Sequence, residues 1–416
     1  MTGGIVTKTG PVGKTVRHGL WHAGPMKITG ARFIRVEGRL REDLSIDNGR
    51  GLVPADNDPA YATRPLKLIR NCFPDEDGVR RIRGTFLQLE TDEGITGTCT
   101  QFGPGHVRII RDVLLPYMIG RDPLAIEENW DFMFRLLCGR GLNAASAMNN
   151  AMWDIRGKLE GVPVYELLGG PKQDGLQPYA GTAGLSAALP GSLELARRLK
   201  EEGFAAQKWY PTCSTGHGPD GMDTNMEIVK ALRETVGDDI DLMFDAHQGW
   251  TPDYAVEMAK RMSSFKPRWL EEPVMSDDIE GYRAVHEAAD FPIAGSEAHQ
   301  NRWQALALLK SGAVDVIQPD AGGTGGITEW MRIAKMTADH GKQIVIHCGY
   351  LPVMHFVAAQ PRELCPYYEY LVNWNEYGQW FYRQKCEPVN GRMPLPPGPG
   401  LGLELDDDRI DTRQEV

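Results

Sequence analysis

The chain has 416 residues, a formal net charge of −11 and 42% hydrophobic residues. That length exceeds one compact core and predicts two or three domains, while the acidic balance argues against a nucleic-acid partner, which requires a basic face to displace counterions. No run of about 18 apolar residues is present, and the N-terminus lacks the basic, apolar, small-residue order of a signal peptide, so the expectation is a cytoplasmic protein with no membrane partner.

Residues 1–26 carry Gly, Pro and His without apolar periodicity and read as an N-terminal arm. The G-K-T at Gly13 to Thr15 is not a phosphate loop, because Lys8 stands where the Walker spacing needs glycine. Two strand-rich stretches follow, ITGARFIRVEGRL and RRIRGTFLQLETDEGITGTCTQF, the second folded on itself at Asp92-Glu93-Gly94. They predict a small antiparallel sheet. The polar, Pro-rich stretch at 45–75 is too long for an ordinary connection and reads as a substrate lid. Helical patterns at VRIIRDVLLPYMI, ENWDFMFRLL and AASAMNNAMWDIRGKLEG complete an α+β capping domain over 27–150 and lead into the next unit.

From about residue 176 the rhythm becomes strand, helix, strand. QPYAGT, AAQKWYP, DLMFDA, RWLEEP, PIAGSE, DVIQPD, QIVIHCG and YEYLVNW alternate with amphipathic stretches, and such alternation predicts a closed parallel barrel, here a (β/α)7β TIM-like barrel over 151–384. The turn-rich tail at 385–416 cannot be a further barrel unit and is expected to return to the capping domain. Seven cysteines between Cys72 and Cys386, without C-x-x-C, read as reduced core thiols.

Asp245, Glu271 and Glu297 each close a short apolar run, 26 residues apart. Matching strand ends would make the three carboxylates converge, which requires protonation or a hard cation, and oxygen-only ligands favour Mg²⁺ over zinc. Unrelated N-caps or solvated acids are the competing reading for any one of them. Asp320 and His347 end consecutive strands, a pairing in which the carboxylate orients the imidazole as a general base. Lys208 and Tyr210 are one residue apart and share a face, so the ammonium would lower the phenol pKa and make Tyr210 a second base; a surface cation and an aromatic plug is the alternative. His247, two after Asp245, is a candidate general acid, Glu369 completes the ring, and His299 is balanced between site and scaffold. The Gly322 to Gly326 run reads as a tight turn before a helix rather than a phosphate cradle.

The succession D-x-H, L-E-E-P, G-S-E, Q-P-D, G-G-I-T and H-C-G, from Asp245 to Gly349, resembles the mandelate racemase branch of the enolase superfamily, together with AMWDIRGKLEGVPVYELLGG ahead of the barrel. The resemblance implies Asp245, Glu271 and Glu297 as Mg²⁺ ligands, Asp320 and His347 as the dyad, and Glu369 as a partner of the substrate carboxylate or enediolate. It also implies an acid-sugar substrate and a homo-oligomer. Tyr210 stands where racemases of this branch usually carry the second lysine of K-x-K, whereas the D-x-H is similar to sugar-acid dehydratases, in which that histidine protonates the departing hydroxide. KWYPT and AYATRP resemble L-rhamnonate-type dehydratases. The expectation is a hydro-lyase that forms a 2-keto-3-deoxy acid. A racemase or epimerase working with His347 and Tyr210 on opposite faces, and a non-catalytic binding barrel, are the alternatives.

Overall fold

The structure is a computed structural model that describes residues 25–39, 72–74, 80–100, 103–183, 191–372 and 374–416. The expected arm and lid fall almost entirely outside the described residues. One antiparallel sheet is built from β1 (Ile28–Arg39), β2 (Cys72–Pro74), β3 (Arg80–Thr91) and β4 (Thr96–Thr100). The C-terminal β13 (Thr412–Glu415) joins it beside β1, with Glu415 opposite Ile34, so the tail does return to this sheet. The β3–β4 turn falls at Asp92 to Gly94, where Gly94 takes φ 77, a backbone region that glycine enters without penalty.

The second sheet is parallel and has eight strands: β5 (Pro178–Gly181), β6 (Ala206–Trp209), β7 (Asp241–Asp245), β8 (Trp269–Glu271), β9 (Ile293–Gly295), β10 (Val316–Ile317), β11 (Gln343–Ile344) and β12 (Tyr368–Leu371). Its hydrogen-bonded order runs β11-β10-β9-β8-β7-β6-β5-β12, with a helix between most neighbours. Ile344 N donates to the Leu364 carbonyl, in the segment leading into β12, at 2.9 Å. Tyr179, Ala206, Met243, Trp269, Ala294, Val316, Val345 and Tyr367 form one buried cluster to which every strand or its immediate flank contributes one residue. Trp269 and Tyr179 both meet the Tyr367 ring edge-on at 6.0 Å. Such pairs contribute about 0.5–1.5 kcal/mol beyond area burial.

This apolar layer is a floor. Since side chains alternate along a strand, the residue two further on from each floor position faces the same interior one level up. Those residues are Gly181, Lys208, Asp245, Glu271, Ser296, Gln318, His347 and Glu369. An apolar level thus carries a polar level directly above it, at the C-terminal rim.

The helix Leu142–Glu160 joins the two sheets. Gly97 and Gly400 let it approach closely: a Cβ at Gly97 would lie 2.1 Å from the Ala151 carbonyl oxygen, and one at Gly400 would lie 2.2 Å from Asp154 Oδ1. Asp154, fully buried, accepts hydrogen bonds from Thr98 N and Leu401 N, both at 2.7 Å, and pairs with Lys158 at 2.6 Å. One carboxylate therefore holds β4, the helix and the C-terminal tail together. The six cysteines whose side chains are described are free, but Cys138 is exposed and Cys213 half-buried, which corrects the expectation that the thiols are all core residues. Among the described residues no helix is long and apolar enough to cross a membrane.

Asp154→Ala strands two buried N–H donors and an ammonium, so urea unfolding is expected to show a loss of about 3 kcal/mol or more. Asp154→Asn, which keeps one acceptor, should lose less; equal losses would assign the effect to packing alone.

Candidate active site

The interior level above the floor is dominated by charge. Lys208 Nζ, with no exposure, lies 2.6 Å from Glu271 Oε1, 2.8 Å from Glu369 Oε1 and 3.6 Å from Asp245 Oδ2. The surface-cation reading of Lys208 is therefore excluded. One ammonium is divided among three carboxylates, and the consequences for the partners differ. Burial, Asp245 and Glu369 push Glu271 up to about 7 despite its contact with Lys208. Burial opposes ionisation of Glu369 too, yet Lys208 and His347 together hold it down at about 2. Lys208 itself stays firmly charged: burial disfavours the ammonium, and the attraction of Glu271 and Glu369 outweighs it.

Asp245 and Glu271 end β7 and β8 as register partners, as the spacing predicts. Glu297 reaches the same region by a different route. Counting from the floor residue Ala294, its parity points away from the interior, but Ser296 adopts φ 99 and breaks the alternation. Its carboxylate then stands 3.6 Å from His347 Nε2. Lys208 Nζ lies near both Asp245 and Glu271, and Glu271 Oε2 accepts from Trp269 Nε1 at 2.9 Å and Gln318 Nε2 at 2.8 Å.

The donor set still fits a hard divalent cation. Every candidate ligand is a carboxylate oxygen, and burial together with neighbouring carboxylates raises the pKa of Asp245, of Glu271 and of Glu272, the last to about 8. A cluster that draws protons in this way is short of positive charge.

Asp320 and His347 come together as expected, with His347 Nδ1 3.2 Å from Asp320 Oδ2. The other Asp320 oxygen accepts the Gly322 and Gly323 N–H groups, so the glycine run serves as the tight turn that aims the carboxylate. Helix Leu142–Glu160 holds that turn from outside: Asn150 and Asn149 accept from Ile327 N and Thr328 N, both at 3.1 Å, capping the following helix. His347 Nε2 faces Glu297, Glu369 at 3.8 Å and Cys348 Sγ at 3.8 Å. Burial disfavours the imidazolium, but Cys348, Glu297, Glu369 and the Asp320 hydrogen bond prevail and raise its pKa well above the usual value.

One sequence expectation needs correction. Tyr210 lies beside Lys208, its ring 5.9 Å from Nζ, yet its pKa is raised well above the ordinary phenol. Burial dominates, and Asp245, Glu369 and Glu271 act against the one ammonium that lowers it, so the phenol stays neutral. His247 lies beyond the end of β7 at φ 49, where strand alternation no longer directs side chains; its main-chain N–H donates to Asp245 Oδ1 at 2.8 Å. His299 is scaffold-like, buried and bonded to Ser296 Oγ at 3.2 Å, its pKa lowered by burial.

Sequence reasoning passed over Glu272, Gln318 and Cys348. Gln318 was legible, since it stands two residues after the floor residue Val316. Glu272 and Cys348 were not, because φ values of 42 and 65 turn them against the alternation. Glu272 is fully buried and accepts from Gln248 Nε2 and Ser276 Oγ, tying the loop after β7 to the loop after β8.

Comparison with known proteins agrees with this arrangement. Residues 192–409 match the enolase C-terminal domain-like family, and residues 76–169 match the mandelate racemase/muconate lactonizing enzyme N-terminal domain. A D-galactarolactone cycloisomerase of Agrobacterium fabrum is 31% identical over 345 residues, 78% of this chain and 89% of that protein. An L-rhamnonate dehydratase of Saccharopolyspora erythraea is 32% identical over 342 residues, 79% of this chain and 84% of that protein. The crystal structure of an L-talarate dehydratase from a Polaromonas species, complexed with Mg and L-glucarate, has a TM-score of 0.76 at 27% identity and covers 94% of this chain and 99% of its own. With a parallel barrel, an antiparallel capping sheet and these matches over both, the chain belongs to the mandelate racemase and muconate lactonizing enzyme branch of the enolase superfamily.

Proposed function

We propose that this protein is an acid-sugar dehydratase: it removes the C2 proton of an aldonate or aldarate and eliminates the 3-hydroxyl to give a 2-keto-3-deoxy acid. The observation that carries the reading is the His347–Asp320 pair, 3.2 Å apart, facing a carboxylate cluster that is short of positive charge. The relatives named L-rhamnonate dehydratase and D-galactonate dehydratase support it, as does the L-talarate dehydratase structure with Mg and L-glucarate.

Asp245, Glu271 and Glu297 are the residues that would hold Mg²⁺. When bound, the ion supplies Lewis-acid stabilisation of negative charge developing on the substrate carboxylate. The rest falls to the chain's own groups. Asp320, fixed by the glycine turn, engages Nδ1 of His347 and leaves Nε2 turned inward, where the ring in its neutral form takes the C2 proton. Lys208 keeps the buried Glu369 ionised, so Glu369 accepts hydrogen bonds and does not donate one. His247 gives the proton that leaves with the 3-hydroxyl. Tyr210, a neutral phenol, donates a hydrogen bond in place of acting as a base, which weakens the racemase alternative.

A second reading, cycloisomerisation of an acid-sugar lactone, is favoured by the 31% identical relative of that name. It would need the same proton transfer beside a carboxyl carbon, so only the product separates the two. Incubating the enzyme and Mg²⁺ with a panel of aldonates, aldarates and their lactones should yield a 2-keto-3-deoxy acid; a lactone rearranged without loss of water would favour the second reading, and no turnover of any of them would sink both.

His347→Asn is expected to lower kcat about 10²–10⁴-fold and to abolish C2 proton exchange in D₂O, the range typical of a missing general base. His247→Asn should lose elimination by a similar factor while slow C2 exchange persists. Loss of both reactions together would make His247 a support for Asp245. Chelation should remove activity and Mg²⁺ restore it, whereas full activity after exhaustive chelation would exclude a metal role for the three carboxylates.

A further inference from the structure

We propose that Asp320, His347 and Cys348 form a second metal site, selective for borderline or soft divalent ions such as Zn²⁺ and Cd²⁺, and that its occupation switches the enzyme off. Among the described residues these three offer one donor atom each, all within 4.8 Å of one another. His347 Nδ1 is 3.2 Å from Asp320 Oδ2, and His347 Nε2 is 3.8 Å from Cys348 Sγ. Tetrahedral zinc, with bonds of about 2.0–2.3 Å, places its donors roughly 3.3–3.8 Å apart, so small movements suffice. The ring turns a different nitrogen to each neighbour, and the ion takes one of the two and draws in the remaining donor.

Two features show that the donors are held in place. Asp320 is aimed by the Gly322 and Gly323 N–H groups, and Cys348 is anchored through its own N–H, which donates to Glu369 Oε2 at 2.6 Å. Outer contacts of this kind orient ligands before the metal arrives. The left-handed backbone at Cys348, φ 65, is what brings the thiol beside the imidazole.

The chemistry of the donors distinguishes this site from its neighbour. Asp245, Glu271 and Glu297 offer only oxygen, which suits Mg²⁺; Asp320, His347 and Cys348 offer oxygen, nitrogen and sulfur, which suit Zn²⁺ and Cd²⁺ and which Mg²⁺ does not compete for. Binding releases to solvent the thiol proton and the ring proton of the charged imidazole, which frees a lone pair for the ion; thiolate and carboxylate balance the 2+ charge, and a water fills the fourth position. His347 can then no longer accept a proton from substrate. That last step rests on the dehydratase reading, whereas binding itself does not.

The test is a titration of the Mg²⁺-loaded full chain with Cd²⁺, following the ultraviolet thiolate-to-metal charge-transfer band and the turnover of acid sugar together. The expected result is one saturable band, with loss of turnover in parallel and recovery after chelation and fresh Mg²⁺. Cys348→Ser should lose the band and need at least ~10-fold more Cd²⁺ for inhibition. Cys138→Ser and Cys213→Ser, which alter the two more accessible thiols, should keep both responses, so the assignment stands on folded protein even if Cys348→Ser is unstable. A band that survives in Cys348→Ser or disappears in Cys138→Ser or Cys213→Ser, or inhibition with no thiolate band, overturns the proposal. A Cys348-dependent band without inhibition leaves the metal site intact and removes His347 from its place as base.

Discussion

One buried ammonium set against a ring of carboxylates is the constraint on which the site depends. Lys208 touches Glu271 and Glu369 and approaches Asp245, all of them removed from water. Charges buried this deeply are tolerated only when paired, and a single ammonium cannot satisfy three partners equally. The imbalance sets the character of each group: Glu369 is held ionised, Glu271 and Glu272 are drawn toward protonation, Tyr210 stays neutral and His347 is drawn toward its charged form. A divalent cation would relieve the same imbalance, and the family's reliance on such an ion has a physical basis in this chain's own charges.

The barrel makes that concentration of charge possible by separating polar from apolar by one step of strand alternation. Below lies a close-packed floor of Tyr179, Trp269 and Tyr367 with smaller residues between them. Above it lie Lys208, Asp245, Glu271, Gln318, His347 and Glu369 at positions of equal parity. The floor excludes water from one side and keeps the dielectric low, which strengthens every electrostatic interaction above it. Just beyond the strands the backbone leaves the extended region. His247, Gln248, Glu272, Ser296 and Cys348 all have positive φ and all stand just beyond barrel strands. Such conformations are held against their own cost by the surroundings and concentrate where function needs an unusual direction.

The capping unit contributes to the chemistry without entering it. Helix Leu142–Glu160 fixes β4 and the C-terminal tail through Asp154, and through Asn149 and Asn150 it caps the helix that begins at Ile327. Trp130 Nε1 adds a hydrogen bond to the Gly325 carbonyl at 2.8 Å. The glycine turn that aims Asp320 is therefore clamped from the capping side, and the orientation of the dyad is coupled to the seating of the two units on each other.

Much of this was readable in the residues themselves. Apolar runs ending in Asp245, Glu271, Asp320 and His347, at the spacing of a strand and a helix, reveal a parallel barrel with its chemistry at one rim, because strand period and crossover length are local properties of the chain. The return of the tail to the first sheet was legible for a similar reason: a turn-rich segment has no barrel unit to form. What alternation could not reveal were Glu272 and Cys348, whose backbone leaves the extended region. Nor could it give the sign of the Tyr210 shift, where the choice between a nearby ammonium and burial among acids belongs to the surroundings. Sequence by itself determined which residues reach the rim, since that follows from local periodicity; only the tertiary structure decided how their charges are shared, since that depends on distances and desolvation created when distant strands meet.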